Sequence, residues 1–599
     1  MLLPLALLAL LAPQQLGPPD PPDVDSLRHH ARRIEAVYER RIRQYAPLSE
    51  SGGSSGRCHE RVGRYCLFFD DADEPEDPIP PEHEAVVAAR RAAVRALRRA
   101  FAAAPAEPEI AGSLIRYLVE DDRTAEAVSA ARAHRSLAAD SARGALLLGF
   151  ALHHDGRIAA AEAEFRRALR ALPEERRIRL EDLDVLLSAR ESEVYDGLDP
   201  AARARYTERL WALADPLYLI EGNGALTEHL ARHVWTELLP GAPWVRGKVS
   251  WGDDLEELTL RYGVPVSRER IRGSFQRDDR FVERFDPAEV AVVPASLSDT
   301  ASLLAPPPGE PGGLDPARPR SAHTPRALRL LIDVAHQAAV VPLGPDSVEV
   351  RVAAALPLDS VVAERPARLL AGLFLRSADS LAPAAAATAD FAVEGDTAHW
   401  AGRVRVPNGR YVYSIELLEE ESRLAGRARY LLSTPAMPSG DGSCGLSDII
   451  VARPLGRGPT RGGADSAKPV PALTFAAGDT IGVAVEIGAC APLAGSRLRV
   501  ALAIESAERA PAPIRAIRWV GRALGLVERE RAPRLVWEQI FERPSEDAPE
   551  IAVDLVLEGL EPGLHALVLN VDGPAGRVER RRLIRIVSGR RRSGTRTRR

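Results

Sequence analysis

The sequence predicts a multidomain α + β protein, with an N-terminal α-helical solenoid and C-terminal antiparallel β-sandwich modules. Three observations predict this class. Apolar residues recur at helical spacing in the first half, a Pro/Gly-rich stretch follows at 305–326, and the alternation typical of strands begins after it. With 599 residues, 45% of them hydrophobic, the chain has ample core material for several domains.

Residues 1–12 form a short apolar run that ends in small residues. It is too short to span a bilayer, which takes roughly 20 apolar residues, and it fits the apolar core of a secretory signal. We expect residues 1–17 to be a signal peptide and the protein to be exported to the periplasm, the outer envelope surface or the medium. The alternatives are a mis-assigned start codon and a disordered tail.

The four cysteines are consistent with export. Cys58 and Cys66 flank a short loop, whereas Cys444 and Cys490 both lie in the β-rich half. An even number of locally paired cysteines indicates disulfides in an oxidising compartment. Three pairings are possible, and proximity within domains favours Cys58–Cys66 with Cys444–Cys490.

The global charge points to no polyanionic partner. The net charge is −5 and the isoelectric point about 6.3, which gives no reason to expect specific nucleic-acid binding. The segment 18–80 contains a Pro-rich spacer, a predicted helix from about Ser26 to Tyr45 and the Cys58–Cys66 loop. The basic tail, residues 589–599, is predicted to be disordered.

Residues 142–173 predict two short antiparallel helices joined at residues 153–156. Asp155-Gly156 is a turn signal, because Gly accepts the positive φ that ends a helix. Gly149 on the first helix would let a neighbouring backbone come close. In the second helix, Ala161, Phe165 and Ala168 form one stripe, and the helix ends before a proline.

The same pattern recurs at a fixed period. Ala93, Ala127 and Ala161 are equally spaced along the chain, with a period of about 34 residues. A single helical hairpin cannot bury its face alone, so about three stacked units over 81–200 are expected. The alternative is an ordinary Ala/Arg-rich helical bundle. The spacing resembles the tetratricopeptide repeat at Gly149, Ala161, Phe165, Ala168 and Pro173, whereas Ala145 stands at that pattern's tryptophan position.

Such a stack would offer a concave groove for a protein segment. The groove contacts would come from the first helix of each hairpin. We therefore expect a binding surface around Arg116, Glu120, His153 and His154.

The stretch 206–270 has a Trp before Asp-Pro, an aromatic-bearing helix, a Trp-Gly-Asp element and then Arg-Tyr-Gly-x-Pro. This order resembles the bacterial GWxTD-domain family, although Ser250-Trp251-Gly252-Asp253-Asp254 replaces the defining string. The resemblance implies an exported protein with helical repeats and β-sandwich-like modules over a region 201–304, and it implies no chemistry. The matching positions are Trp211, Asp215, Pro216, Trp251, Asp253, Arg261, Tyr262, Gly263 and Pro265.

His229 and His233 are the best metal candidates, because residues at i and i+4 of a helix can reach one ion. The zincin motif requires Glu directly after the first His, where this chain has Leu230. The alternative is two partly buried histidines on a packed helix. The acidic run Asp253, Asp254, Glu256 and Glu257 predicts the start of a helix, where carboxylates complement the dipole. The alternative is a calcium or carboxylate-pair site, which needs two or three of these side chains to converge from different turns.

Beyond the linker 305–326, strand-like segments alternate with turn signals. They suggest two β-sandwich modules, 327–455 and 472–588. Pro407-Asn408-Gly409 between two alternating segments predicts a β-hairpin.

Neither a phosphate-binding loop nor a nucleophile elbow occurs in the sequence, so no cofactor is expected. We predict an exported, non-catalytic protein-binding or scaffold protein of the bacterial envelope with a protein partner and no transmembrane span. One alternative is a metal-dependent hydrolase of envelope polymers that uses His229 and His233. A second alternative is a structural component of a cell-surface assembly.

Overall fold

The protein is described by a computed structural model. It covers residues 23–45, 49–52, 60–63, 65–67, 81–138, 140–187, 189–239, 252–264, 267–272, 280–284, 328, 330–344, 346–358, 368–390, 392–434, 445–455, 468–487, 497–507, 534–541, 550–573 and 576–588. Within these residues the N-terminal part is helical and the C-terminal part is β-rich with several sheets, which confirms the predicted class at that level.

Two of the described helices begin at recognisable capping signals. The Asp140 carboxylate accepts hydrogen bonds from the first N–H groups of one helix, and Pro108 opens another. None of the described helices has the length and apolar content needed to cross a bilayer. They are α1 Val24–Tyr45, α2 Glu84–Ala103, α3 Pro108–Glu120, α4 Thr124–Leu137, α5 Ser141–His154, α6 Ile158–Ala171, α7 Glu174–Glu181, α8 Ala189–Asp196, α9 Pro200–Ala214, α10 Gly224–Leu238 and α11 Asp253–Tyr262.

The turns α3–α4 and α5–α6, one repeat period apart, have the same geometry. Asp122 has φ +56°, and Gly156, at the equivalent position, has φ +74°. In each turn the following residue donates its backbone N–H to the carbonyl five residues earlier. Arg123 N–H donates to Leu118 O at 2.8 Å, and Arg157 N–H donates to Leu152 O at 2.9 Å. Ala93, Ala127 and Ala161 are all fully buried on the second helix of successive pairs.

Side-chain contacts between neighbouring pairs repeat as well. Arg90 Nε donates to Asp121 at 3.1 Å, and Thr124, one period after Arg90, donates its hydroxyl to Asp155 at 2.8 Å. Each contact joins the second helix of one pair to the turn of the next pair. The periodic pattern of the sequence therefore corresponds to a periodic pattern of contacts.

The space beside Gly149 is filled by the ring of Phe165 and not by a neighbouring backbone. A Cβ at this position would lie 2.8 Å from Phe165, which is fully buried. The expectation that a neighbouring backbone approaches here was wrong, because the aromatic side chain of α6 occupies the space left by the missing methyl group. The helix pair α5–α6 is thus closed by a glycine–phenylalanine contact.

Within the described residues, the β-rich part contains two pairs of sheets. The first pair has strand orders β10-β9-β13-β14-β6 and β11-β12-β8-β7, and the second has β15-β17-β20 and β16-β22-β21-β18-β19. The strands are β6 Leu330–Asp333, β7 Ala335–Pro342, β8 Ser347–Pro357, β9 Leu369–Ser377, β10 Pro383–Asp390, β11 Ala392–Glu394, β12 Thr397–Pro407, β13 Arg410–Glu419, β14 Leu424–Ser433, β15 Ile450–Ala452, β16 Thr474–Ala476, β17 Thr480–Glu486, β18 Leu498–Ser506, β19 Arg534–Phe541, β20 Glu550–Val556, β21 Gly563–Gly573 and β22 Gly576–Val587.

Each pair of sheets shares one hydrophobic cluster. Val350 and Trp400 of one sheet pack in the same cluster as Leu373 and Ile415 of its neighbour. Strand β15 belongs to the second pair, because Val451 pairs with Val483 of β17. The boundary between the two β-rich parts therefore lies before residue 450, earlier than the sequence division at 455–472.

The hairpin predicted at Asn408-Gly409 is wrong. Strand β12 pairs with β8 along its whole length, and β13 pairs with β9 and β14 of the facing sheet. The turn instead carries the chain from one sheet to the other, and Asn408 N–H donates to Asp346 O at 2.9 Å. Pairing with strands distant in sequence prevailed over the local turn signal.

The two β-rich parts are joined by the Gln337 side-chain amide, which makes paired hydrogen bonds with a backbone residue as a neighbouring strand would. Gln337 of β7 donates from Nε2 to Val451 O and accepts from Val451 N–H, both at 2.8 Å. Its Nε2 also donates to Val470 O at 2.8 Å. Arg582 of β22 adds a hydrogen bond to Ala338 O of β7 at 2.8 Å. The relative position of the two parts is thus set by several directed hydrogen bonds.

A further sheet joins the N-terminal segment to the region after α11. Its order is β1-β4-β5-β3-β2, with β1 Ser49–Gly52, β2 Glu60–Val62, β3 Tyr65–Leu67, β4 Ser267–Arg272 and β5 Arg280–Arg284. Several predictions lie outside the described residues: the signal peptide, the linker 305–326, the basic tail, and Cys58, Cys444 and Cys490. The side chain of Cys66 is outside them too, so both disulfides stay predictions.

Candidate functional site

The helical part meets the first β-rich part through a buried polar network, formed by Ser414, Glu416, Arg427 and Arg429 with the segment Leu213–Leu219. Arg429 Nη1 donates to Leu213 O at 2.8 Å and to Asp215 O at 2.7 Å. These carbonyls end helix α9, where a cation is favoured by the helix dipole. We call this arrangement the junction network.

Glu416 balances the arginine charge within the junction network. Arg429 Nη2 lies 3.0 Å from Glu416 Oε1, and both side chains are buried. The hydroxyl of Ser414 donates to the same oxygen at 2.6 Å, and Leu219 N–H donates to Oε2 at 2.9 Å. Both carboxylate oxygens of the pair therefore have partners, which a buried ion pair requires.

A cavity of about 810 Å³ opens beside the junction network. Its walls come from α6 to α10, and Arg376 of β9 also contributes. Its lining includes the aromatic side chains Tyr195, Trp211 and Tyr218. The volume lies in the range of ligand-binding cavities, roughly 300–1,000 Å³.

The inner wall of the cavity carries Asp215. Burial raises the pKa of this carboxyl to about 8, although the nearby cations Arg429 and Arg376 oppose the rise. No hydrogen bond to the carboxylate is found among the described residues. Arg376 lies over the Tyr218 ring at 4.0 Å and donates to Leu381 O at 3.1 Å. The inner wall thus combines the Asp215 carboxyl group, which has no hydrogen-bond partner among the described residues, with the Arg376 guanidinium, which lies over the Tyr218 ring.

His229, on the same wall, and its neighbour His233 are buried. His229 Nε2 donates to Leu180 O at 3.1 Å, so its Nδ1 is an acceptor, and that atom has no hydrogen-bond partner in the described part of the chain. Burial lowers the pKa of His229 to about 4 and lowers that of His233 as well. Among the described residues, no three His, Cys, Asp or Glu side chains converge where a metal ion would fit. The two rings pack edge to face, 4.6 Å apart, in the manner of packed core side chains.

The state of His229 leads to a pH prediction. A folded pKa of about 4 against the ordinary 6.5 means that stability is complete above pH 6.5 and is lost as the pH falls through 4. The difference corresponds to roughly 3 kcal/mol. His229→Gln keeps a donor for Leu180 O but has no imidazole to protonate. Between pH 7 and pH 4, we expect its free energy of unfolding to fall by roughly 3 kcal/mol less than that of the native chain.

Denaturant unfolding at several pH values measures this difference. Asp215 acts with the opposite sign over the same window, because its raised pKa favours the folded state at low pH, and it is unchanged in both proteins. His399→Gln, at a partly exposed position of β12, is the matched control and should leave the acid sensitivity unchanged. Parallel pH profiles for His229→Gln and the native chain would contradict the prediction.

A hydroxyl, an imidazole and a carboxylate meet inside the helical part. His153 Nε2 lies 2.5 Å from Glu228 Oε2, and its Nδ1 lies 3.1 Å from Thr227 Oγ1. Thr227 is fully buried, and its hydroxyl also faces the carbonyls of Asn223 and Gly224. A nucleophile must reach its substrate, so this arrangement joins α5 to α10 rather than forming a reaction centre.

The residues predicted to line a binding groove contact helix α10 or α1 of the same chain. Arg116 Nη1 donates to Leu238 O at 3.4 Å, and the His154 ring packs 5.9 Å from that of Trp235. Glu120 accepts from the Tyr38 hydroxyl at 2.9 Å. Together with His153, Arg116 is buried, so the inner face of α3 and α5 is covered by the chain itself.

The positions that resemble the GWxTD family divide into two groups. Trp211, Asp215 and Pro216 lie at the cavity and the junction network, where Pro216 O accepts from Arg427 at 3.0 Å. The others described lie on α11 or at its end: Asp253 in the first turn, Arg261 paired with Glu257 at 2.6 Å, Tyr262 fully buried and Gly263 with φ +89°. Trp251 and Pro265 are outside the described residues.

The acidic run of α11 is distributed over separate partners. Glu256 pairs with Arg179 at 2.7 Å, and Glu257 pairs with Arg261. The helix begins at Asp253, as expected for carboxylates that complement the dipole. The run therefore does not converge on one point.

Sequence reasoning missed the junction network. The signal was present as polar residues two apart in apolar strands, Ser414 with Glu416 and Arg427 with Arg429. Residues two apart share one face of a strand, so the members of each pair point to the same side. A face with this composition requires a polar partner, which the end of α9 supplies.

Comparisons with known proteins add no family. No family model matches the chain, and no curated protein matches it. Among solved structures it is similar to a crystal structure of native alpha-2-macroglobulin from Escherichia coli spanning domains MG0-NIE-MG1, with 12% identity over 42% of this chain and 70% of that chain and a TM-score of 0.12. A likeness at this TM-score supports no argument about fold or function.

Proposed function

We propose that the chain is an exported, non-catalytic protein-binding scaffold of the bacterial envelope. In this proposal the helix pairs stack as a tetratricopeptide-like solenoid, and the paired sheets are β-sandwich modules that act as spacers. The observation that carries it is the fixed placement of the parts. Gln337 joins the two β-rich parts, and Arg429 joins the first of them to the helices.

The binding surface in this proposal is the cavity beside the junction network rather than the inner face of α3 and α5. Helix α10 occupies that inner face, whereas the cavity has exposed residues at its mouth, among them Ala204 and Glu208. A partner bound there would contact the helices directly beside the sheet. Binding would therefore involve both parts of the scaffold.

Site-specific photo-crosslinking tests the proposal. A photoreactive residue at Ala204 in the full chain, exposed to envelope fractions of the producing bacterium, should give one discrete protein adduct. The same residue at Ile540, exposed on β19, is the matched control and should not give that adduct. The same adducts from both positions, or none from Ala204, would contradict a binding role for the cavity.

A further inference from the structure

The mouth of the cavity carries acids that have no partner among the described residues. Glu208 and Glu221 are exposed, and neither has an ion pair or a hydrogen bond within the described part of the chain. Two cations of the same rim are already engaged. Arg166 pairs with Glu162 at 2.5 Å, and Arg203 pairs with the Asp196 carboxylate at 3.7 Å. The rim therefore has negative charge available for a ligand.

Polar groups without partners continue inward from this rim. Asp215 is buried, and its carboxyl group, mostly protonated at neutral pH because burial raises its pKa to about 8, has no hydrogen-bond partner among the described residues; His229 is buried, and its Nδ1 has no partner among them either. Burial keeps the His229 imidazole neutral by lowering its pKa to about 4, so Nδ1 stays an acceptor at neutral pH. A buried acceptor without a donor is costly, by roughly 1–3 kcal/mol.

The aromatic lining suits a cation as well. Trp211 is half-buried between this wall and the rim, with its ring 5.1 Å from that of His229. Indole is the best aromatic partner for an ammonium or guanidinium group. Lysine and arginine side chains carry donors only, three and five respectively, on an apolar stem. This chemistry complements the exposed rim carboxylates Glu208 and Glu221 near an indole.

The arginines of the junction network limit how deep a cation can go. Arg429 and Arg427 donate to backbone carbonyls of the segment from Leu213 to Pro216, and both guanidinium groups lie in the electrostatic range of Asp215. Repulsion from them disfavours a cation at Asp215 itself. The favoured position is therefore outward, at the exposed carboxylates Glu208 and Glu221.

We infer that the cavity binds a lysine- or arginine-bearing segment of the partner protein, with the cation at Glu208 and Glu221 and the stem against Trp211. The inference rests on the proposed function and specifies the partner's chemistry. A free amine would satisfy the acids without using the length of the cavity. A protein segment fills a volume of about 810 Å³ and also presents backbone N–H donors to the inner wall.

Peptide binding to the full chain tests the inference. The probe is a fluorescein-labelled peptide, Ala-Lys-Leu-Arg-Ala with blocked ends; its counterpart replaces Lys by norleucine and Arg by citrulline. We expect Glu208→Gln with Glu221→Gln to weaken binding of the charged peptide at least tenfold and added salt to weaken it further. Glu174→Gln with Glu193→Gln, two exposed acids on α7 and α8 outside the lining, should stay within twofold of the native affinity.

Three outcomes would overturn the inference: equal affinity for the uncharged peptide, no effect of the Glu208/Glu221 pair, or N-acetyl-lysine methylamide binding as tightly as the peptide. Crosslinking at Ala204 distinguishes failure of the cation-recognition hypothesis from failure of the proposed protein-binding function. An adduct that persists unchanged in the Glu208→Gln, Glu221→Gln chain keeps the binding role and rejects cation recognition. Absence of the adduct in the native chain rejects both.

Discussion

Replacing Arg429 with methionine is expected to lower the free energy of unfolding by about 3–5 kcal/mol, because it leaves a buried carboxylate unpaired. Glu416 is fully buried, and its ion-pair partner among the described residues is Arg429. The variant also leaves the carbonyls of Leu213 and Asp215 without this donor. Urea unfolding followed by tryptophan fluorescence measures the change.

The matched control is Arg453→Met. Arg453 pairs with Glu394 at 2.9 Å between the two β-rich parts, but both side chains are largely exposed. An exposed pair contributes roughly 0–1 kcal/mol, so this variant should remain close to the native stability. Combining Arg429→Met with Glu416→Met should recover part of the loss, since an apolar pair no longer contains a buried charge. A loss for Arg429→Met no larger than for Arg453→Met would contradict the role of the junction network.

Replacing Phe165 with alanine is expected to cost about 3–5 kcal/mol, the usual range for a large side chain removed from a packed core. The ring is fully buried and lies on Gly149, where no Cβ is available to fill the space. The cavity would therefore collapse poorly. Chemical unfolding monitored by far-ultraviolet circular dichroism, which reports on the helices, measures the effect.

Phe101→Ala is the control for this prediction, because Phe101 is only partly buried against the same helical core. It should cost clearly less than Phe165→Ala. The repeat pattern can also be tested one period before Phe165, at Ala131, which is fully buried. Ala131→Leu should destabilise the chain through overpacking by roughly 1–3 kcal/mol. Equal losses for Phe101→Ala and Phe165→Ala would contradict the special place of Phe165.

Local features of the fold were predictable from the sequence where one segment contains the whole signal. The turn at 153–156 has its glycine at the left-handed position. The helix of the N-terminal segment was expected from Ser26 and begins at Val24. In each case adjacent residues supply both the structure and its ending.

The candidate site was less predictable, because contacts distant in sequence decide it. Nothing in the local pattern of Arg116 or His153 shows that α10, many residues later, covers them. The turn at Asn408 has the signal of a hairpin, yet its strands find partners in two different sheets. Trp211, Asp215 and His229 were singled out for other reasons, and the structure places all three around one cavity.

Gln337 has a mechanical consequence. Tension applied between the two β-rich parts would act on its hydrogen bonds to the backbone of Val451 and Val470. The hydrogen bond from Arg582 of β22 to Ala338 O would resist the same separation. Separation of the two parts would therefore require several directed hydrogen bonds to break in addition to the loss of apolar contacts.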